Sequence, residues 1–266
     1  MKTLLLGGNA SAKRLAEALL KEGHEVTLSV ASSEGLTTVP PGARALVGRR
    51  DKRLWMELLQ EEAFDVAIDG AHPFAFEAKE IFRTAAKENG LRCLALQRPS
   101  LVPPGALLAS GPEEAAEAAT ARTGEGGLVF LAVGVKLLDI LVPLLRRKRR
   151  PLRARVLPTE ESLARARRAG LEPPEIVALW GAPGKQLEQA ILAESRATCL
   201  LCKDSGREGG MEAKAEAAAA LSIPLIVIAR RQDDPGALDD GTLLEKLRQG
   251  ETENIKGRSQ KGEKRS

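Results

Sequence analysis

Short apolar runs alternate along this chain with stretches whose apolar residues recur every three or four positions. Residues 2–7 (KTLLLG) are a continuous apolar run closed by glycine. Behind it Ala12, Leu15, Ala16 and Leu19 fall on one helical face. Gly23 is placed to end that helix. Residues 24–31 (HEVTLSVA) and 43–48 (ARALVG) read as strands, and Asp51 can cap a helix whose Leu54, Trp55, Leu58 and Leu59 share a face. Residues 64–73 (FDVAIDGAHP) predict a strand running into a loop. A helix with Ala78, Ile81, Phe82 and Ala85 in register comes next, and then a strand at 91–99 (LRCLALQRP).

The second half repeats the plan. Residues 128–134 (LVFLAVG) predict a strand ending in glycine. A helix starts at Val135, and Pro143 is expected to stop or kink it, because proline lacks an N–H and crowds the preceding turn. Strands are predicted at 153–158, 176–181, 197–203 and 223–231. The helix at 212–221 should bury Ala213, Ala217, Ala220 and Leu221. Strands apolar on both faces, alternating with helices, belong to parallel sheets covered on both sides. The fold class expected is therefore α/β, with two Rossmann-like lobes and a cleft between them. The boundaries expected are a first lobe at 1–97, a proline-rich connection at 98–112, a second lobe at 113–250 and a disordered basic tail at 251–266.

Composition narrows the function classes. Aromatic residues make up 3% of the 266 residues and tyrosine is absent, so a surface that stacks nucleobases is disfavoured. No uncharged run approaches the ~20 residues of a membrane helix. Three cysteines are a poor disulfide inventory and suit a cytoplasmic protein. Cys199 and Cys202 form a C-x-x-C inside a predicted strand, with no second ligand pair at zinc spacing, so buried core cysteines are expected and no metal. The net charge of +4 fits an anionic partner without naming one. Arg146–Arg150, with Arg153 and Arg155 beyond, reads mainly as a solvated face.

In open parallel sheets ligands bind beyond the carboxyl ends of strands. Three such loops carry candidate chemistry. Gly7, Gly8, Asn9 and Ser11 lie between strand and helix, where backbone N–H groups can meet a phosphate, or where a tight turn with an N-cap needs the same residues. His72 is the one histidine in a predicted site loop. It can donate a proton, orient a ring or simply bond to backbone. Lys203, Ser205, Gly206 and Gly210 open the last long helix, with Lys214 one turn in, and can cradle an anion.

Taken together these loops resemble one family. The glycine pair and Ser11 near the start, the A-H-P-F-A of residues 71–75, the strand end at Gly134 and Lys136, the R-V-L-P of 155–158 and K-D-S-G-R-E-G-G-M-E-A-K at 203–214 are similar to precorrin-6A reductase, also written cobalt-precorrin-6A reductase. The resemblance spans about residues 2–231. It implies a cytoplasmic enzyme of corrin (cobalamin) synthesis that passes a hydride from NADPH or NADH, not tightly bound, to a double bond of a polycarboxylate tetrapyrrole. By matching position it implies that His72 borders the reacting cleft and that Lys203 and Ser205 hold cofactor or substrate groups; these three are the polar groups expected to be catalytic. Gly7, Gly8, Asn9, Ser11, Ser32, Ser33, Gly134, Lys136, Gly206 and Gly210 would line the cofactor. Departures exist: Val133 stands where a threonine is usual, the aromatic of a G-P-F is missing near Gly181-Ala182-Pro183, and Ser32 and Ser33 stand where an arginine is common. The last leaves the choice between NADPH and NADH open. No membrane and no specific nucleic acid is expected as partner, and the chain would act as monomer or homodimer. The rival reading is a dinucleotide-sensing module without catalysis, since fold alone does not fix function.

Overall fold

The computed structural model describes residues 1–97, 100–230 and 236–250; the tail expected at 251–266 lies outside them. The chain forms two compact units, residues 1–98 with those from 232 onward, and residues 99–231.

The first unit is a five-stranded parallel sheet. Its strands are β1 (Lys2–Leu6), β2 (Glu25–Val30), β3 (Arg44–Val47), β4 (Val66–Asp69) and β5 (Cys93–Ala95), in the order β3-β2-β1-β4-β5. Helices α1 (Ala10–Lys21), α2 (Lys52–Glu61) and α3 (Phe76–Glu88) pack on it. Successive side chains of a strand point to opposite faces, so the run Leu4-Leu5-Leu6 feeds two cores at once. Leu5 packs with Leu15, Leu19, Leu28 and Ile68. Leu4 and Leu6 pack on the other face with Trp55, Phe82 and Ala85. That double burial explains why the strand reads as continuously apolar rather than alternating.

One boundary differs from the sequence reading, which carried the second lobe to residue 250. Leu238 instead pairs beside Leu96 in the first unit, its N–H donating to Ala95 O at 2.8 Å. Residues 240–250 are helical and bury Leu243 and Leu247 in the core of Leu5, Leu15 and Leu28. The sequence reading assigned this stretch to the second lobe by its position in the chain, and position along the chain does not say which core receives it.

The second unit is a six-stranded parallel sheet of β6 (Leu107–Ala109), β7 (Leu128–Ala132), β8 (Leu152–Val156), β9 (Ile176–Ala178), β10 (Ala197–Lys203) and β11 (Leu225–Ile228). The order is β6-β11-β10-β7-β8-β9. Its helices are α4 (Pro112–Arg122), α5 (Val135–Arg147), α6 (Glu160–Arg168), α7 (Lys185–Glu194) and α8 (Met211–Ala220).

Three expectations are corrected here. The stretch 98–112, expected as a connection, contains edge strand β6, paired through Leu107–Ala109 to β11; its three residues are too few to show a period. Helix α5 runs through Pro143. Pro143 and Asp139, whose carbonyl lacks its helical donor, are both exposed, so the proline falls on the solvent side of the helix. The buried face of α8 is Met211, Lys214, Ala217 and Ala218, whereas Ala220 is exposed. Ala217 is common to the expected and the observed face, and Met211, Lys214 and Ala218 take the other buried positions.

The basic run is likewise only partly a solvated face. Arg146 holds both oxygens of Glu175, Arg150 donates to the carbonyls of Gly124 and Thr120, and Arg153 reaches Ser195 Oγ at 3.3 Å. Cys199 and Cys202 are buried in β10, three positions apart and therefore on opposite faces, which separates the thiols. Burial pushes the Cys199 thiol up to about 12 and that of Cys202 up to about 11. They are core residues. Among the described residues no helix is long and apolar enough to cross a membrane.

Truncating Leu243 to alanine should cost about 2–5 kcal/mol, the range for a large core side chain with no means of collapse. Urea unfolding checks this. An effect below about 0.5 kcal/mol, the ordinary surface range, would place the 240–250 helix outside the first core.

Candidate functional site

Each sheet has one place where strands are added in opposite directions, and a crevice opens there at the carboxyl ends. In the first unit it lies between β1 and β4. The loop after β1 turns on Gly8, at φ +91°. A methyl group at Gly7 would come within 2.6 Å of Leu28 Cδ1 and 2.7 Å of Ala12 Cβ, so glycine there lets α1 close on the sheet. Asn9 caps α1 by accepting from Ala12 N–H at 3.0 Å, and its Nδ2 donates to Gly70 O at 2.8 Å. That second bond ties the β1 loop to the β4 loop. Ser11 is buried in the first turn of α1. Of the four residues of this loop expected at the cofactor, Gly7 and Asn9 thus shape the loop, Gly8 gives its open backbone and Ser11 is buried in α1.

The β4 loop is set by Asp69. Its side chain is fully buried, accepts from Arg83 Nε at 2.6 Å and from Ala71 N–H at 3.1 Å, and has Lys79 Nζ at 3.8 Å. An acceptor on the N–H two residues on is an Asx turn, which swings the chain off the strand end. His72 comes next but two, half-buried. Its Nδ1 accepts from Phe74 N–H at 3.2 Å, so the neutral ring carries its proton on Nε2. The Phe74 ring lies 6.0 Å away, centroid to centroid.

Ser32 and Ser33 stand just past β2 at the start of a 3-10 turn, Ser33–Thr38, and are exposed. Glu34 sits between them and Gly35. Hydrogen bonds from Ser32, the backbone and Ser33 hold its carboxyl below the ordinary range. A methyl on Gly35 would meet Val30 Cβ at 2.8 Å, and one on Gly8 would meet the same atom at 3.9 Å. Val30 therefore carries the β1 loop and the Glu34 turn side by side.

In the second unit the crevice lies between β7 and β10. Gly134, at φ +78°, precedes α5, and Gly210, at φ +71°, precedes α8; neither helix has a side-chain cap. Lys203 at the end of β10 reaches toward the first of these, its Nζ lying 3.4 Å from the point where a Gly134 Cβ would sit. Lys136 is exposed in the first turn of α5. Burial, then the neighbouring Lys214 and Lys136 cations, lower Lys203 from its ordinary range to about 8. Like charges gathered at uncapped helix N-termini are relieved by an anion.

Ser205 is 9% exposed, and its Oγ has no hydrogen-bond partner among the described residues. Gly209 lies so close above it that no Cβ fits there. Asp204, 2% exposed, repeats the part of Asp69: its Oδ1 accepts from Gly206 N–H at 3.3 Å, and its carboxylate takes Arg230 Nε at 2.7 Å and Ser100 Oγ at 2.8 Å. Burial opposes ionisation of Asp204, but the bonds from Arg230 and Ser100 prevail and its carboxyl stays low.

The expected residues thus assemble in two groups, one per unit: Gly7, Gly8, Asn9, Ser32, Ser33 and His72 in the first, and Gly134, Lys136, Lys203, Ser205, Gly206 and Gly210 in the second. Arg83, Arg230 and Glu188 were not singled out from the sequence. A charged residue in a helix or at a strand end has no pattern that marks it as buried.

Comparison with known proteins supplies an independent finding. A family model described as precorrin-6x reductase CbiJ/CobK matches residues 2–248. A precorrin-6A reductase of Mycobacterium tuberculosis is 32% identical over 86% of this chain and 88% of its own. A cobalt-precorrin-6A reductase of Methanothermobacter thermautotrophicus is 30% identical over 86% of this chain and 76% of its own. A solved structure of CobK precorrin-6A reductase aligns with a TM-score of 0.71 over 94% of this chain and 97% of that one; at 24% identity this speaks for the fold.

The lowered Lys203 fixes the sign of one pH effect. Its folded pKa, about 8, lies below the unfolded value near 10.5, so the unfolded chain holds more protons between those limits. The cost of the buried cation is full below pH 8 and is relieved as pH rises through it. Lys203→Met should raise the melting temperature at pH 7 and flatten the gain in stability from pH 8 to 10.5. Equal pH slopes in the two proteins would refute this.

Proposed function

The chain belongs to the precorrin-6x reductase CbiJ/CobK family, and from that premise we propose that it passes a hydride from a reduced nicotinamide dinucleotide to a ring double bond of precorrin-6A or cobalt-precorrin-6A. It is an oxidoreductase of corrin biosynthesis acting on a CH–CH group, which displaces the sensing module as a reading. The observation that carries the proposal is the packing of Gly8 and Gly35 on the same residue, Val30, which brings the glycine turn before α1 beside the turn that bears the exposed Glu34: a glycine turn at a helix N-terminus with a carboxylate just past the next strand is how parallel sheets hold a dinucleotide.

The residues present fit that group. Backbone N–H groups around Gly8 would hold its pyrophosphate, and Glu34 would accept from a ribose hydroxyl. When bound, the reduced nicotinamide supplies the hydride; the protein supplies position and exclusion of water. A carboxylate at Glu34 repels a 2′-phosphate, and Ser32 and Ser33 offer no cation to offset it, so NADH is the donor we assign. His72, with Nδ1 committed to backbone, presents Nε2–H, the form that donates a hydrogen bond or a proton. Lys203, Lys136 and Ser205, with the open backbone of Gly134, Gly206 and Gly210, hold oxyanion groups, either substrate carboxylates or cofactor phosphates. Three cysteines are too few for a disulfide framework and suit the reducing cytoplasm in which we place the enzyme.

Fluorescence titration with NADH and NADPH, followed by hydride consumption with precorrin-6A and with its cobalt form, tests the assignment. NADH should bind more tightly, and Glu34→Ser should weaken it roughly tenfold, the equivalent of about 1.4 kcal/mol. Absence of binding by both dinucleotides at millimolar levels would end the reading. His72→Ala should lower turnover by about 100-fold or more, the scale of a lost acid, with the melting temperature little changed. An unaltered rate would remove His72 from the chemistry.

A further inference from the structure

Lys214 is the least expected buried side chain of the second unit. It lies in the first turn of α8, where the helix dipole disfavours a cation, and it is 3% exposed. Desolvation lowers its pKa, with Arg155 adding to the fall and Cys202 and Glu188 opposing it. An apolar side chain of similar length would suit the fold as well or better. Stability alone therefore does not account for a lysine here.

Its bonding suggests what does. Lys214 Nζ donates to the carbonyl oxygen of Gly209. Two charged groups on neighbouring elements act on the same ammonium: Arg155 on β8 and Glu188 on α7. Glu188 is 1% exposed; its Oε2 takes Arg155 Nη1, and its Oε1 has no hydrogen-bond partner among the described residues. A buried carboxylate oxygen left so is costly unless a cation lies near. Lys185 and Glu216, 3.1 Å apart, tie α7 to α8 outside this cluster. A methyl on Gly210 would meet Ala182 Cβ, in the loop that leads into α7, at 2.9 Å.

Drawing the Gly209 carbonyl toward Lys214 sets the next peptide plane. Gly210 N–H then returns to Arg207 O at 2.9 Å and closes the turn, while Gly209 Cα rests on the Ser205 side chain. The roof over the Ser205 hydroxyl is thus drawn into place from below. We infer that Lys214 is a positioning residue for the 205–210 loop: its ammonium clamps the Gly209 carbonyl over Ser205, and Glu188, itself paired with Arg155, eases the burial of that ammonium by offsetting part of the arginine's repulsion. It shapes the oxyanion cradle without touching the ligand.

This inference rests on the reductase reading only for its kinetic readout. The experiment compares full-length wild type with Lys214→Met, Lys214→Arg and Glu188→Gln. Hydrogen–deuterium exchange in the free protein comes first. Lys214→Met should speed exchange of the amides of residues 207–210 by about tenfold or more, leaving β11 unchanged, as local opening of a loop does. Glu188→Gln should do the same to a smaller degree, and Lys214→Arg should restore part of the protection. Steady-state kinetics come second: Lys214→Met should raise KM for precorrin-6A or for NADH by roughly tenfold with kcat changed by less than about threefold, the mark of lost uniform binding. Its melting temperature should equal or exceed that of the wild type. Wild-type exchange rates at 207–210 in Lys214→Met overturn the clamp, whatever the catalysis. If Lys214→Met does not fold, wild-type exchange in Glu188→Gln overturns it instead. A wild type without hydride transfer counts against the reductase reading and leaves the exchange result to decide the clamp.

Discussion

Both sheets depend on the same device at the point where their strand order reverses: a buried aspartate gripped by an arginine. Asp69 ends β4 and is held by Arg83 from α3; Asp204 lies just past β10 and is held by Arg230 just past β11. In each case the other role of the carboxylate is to accept a backbone N–H two residues on, so the chain turns sharply off the strand. Removing one partner of such a pair leaves an uncompensated buried charge, a loss of about 3–5 kcal/mol. The turn is therefore fixed by the strongest polar contact nearby. The residues just beyond it, His72 in one unit and Ser205 in the other, inherit their positions from that contact.

The two crevices differ in electrostatics although their scaffolds match. In the first, the α1 N-terminus is already capped by Asn9, and the polar groups near it are hydroxyls and the Glu34 carboxylate. In the second, α5 and α8 begin at glycines without caps, and Lys203 and Lys136 stand close by. One crevice tolerates a ligand that brings hydroxyls; the other lacks an anion. The lowered Lys203 expresses that lack. A fold selected for stability alone would not gather lysines where burial and mutual repulsion both oppose their charge.

Family membership and physical reading meet at these loops. The glycine turn after β1, the A-H-P-F-A after β4 and the K-D-S-G after β10 carry the resemblance, and all three lie at the sheet reversal points. The structure also separates roles within a motif. Gly7 admits α1 to the sheet, Gly8 turns the chain, Gly209 makes room for Ser205, and Gly210 meets Ala182. These are four distinct steric reasons for one residue type.

The amino-acid sequence by itself determined the α/β class, the strands and most helices, because a parallel strand buried on both faces must be apolar throughout and a covering helix must keep a 3.6-residue stripe. It also determined which loops to examine, since glycine and polar residues there interrupt those patterns. It did not place β6, too short for a period, or carry α5 through Pro143, which lies on the exposed side of the helix. Only the tertiary structure decided that residues 236–250 return to the first unit, that Lys214 and Glu188 are buried, and that Arg83 and Arg230 grip the two aspartates. Those facts depend on contacts between residues far apart in the chain, and such contacts leave no local pattern to read.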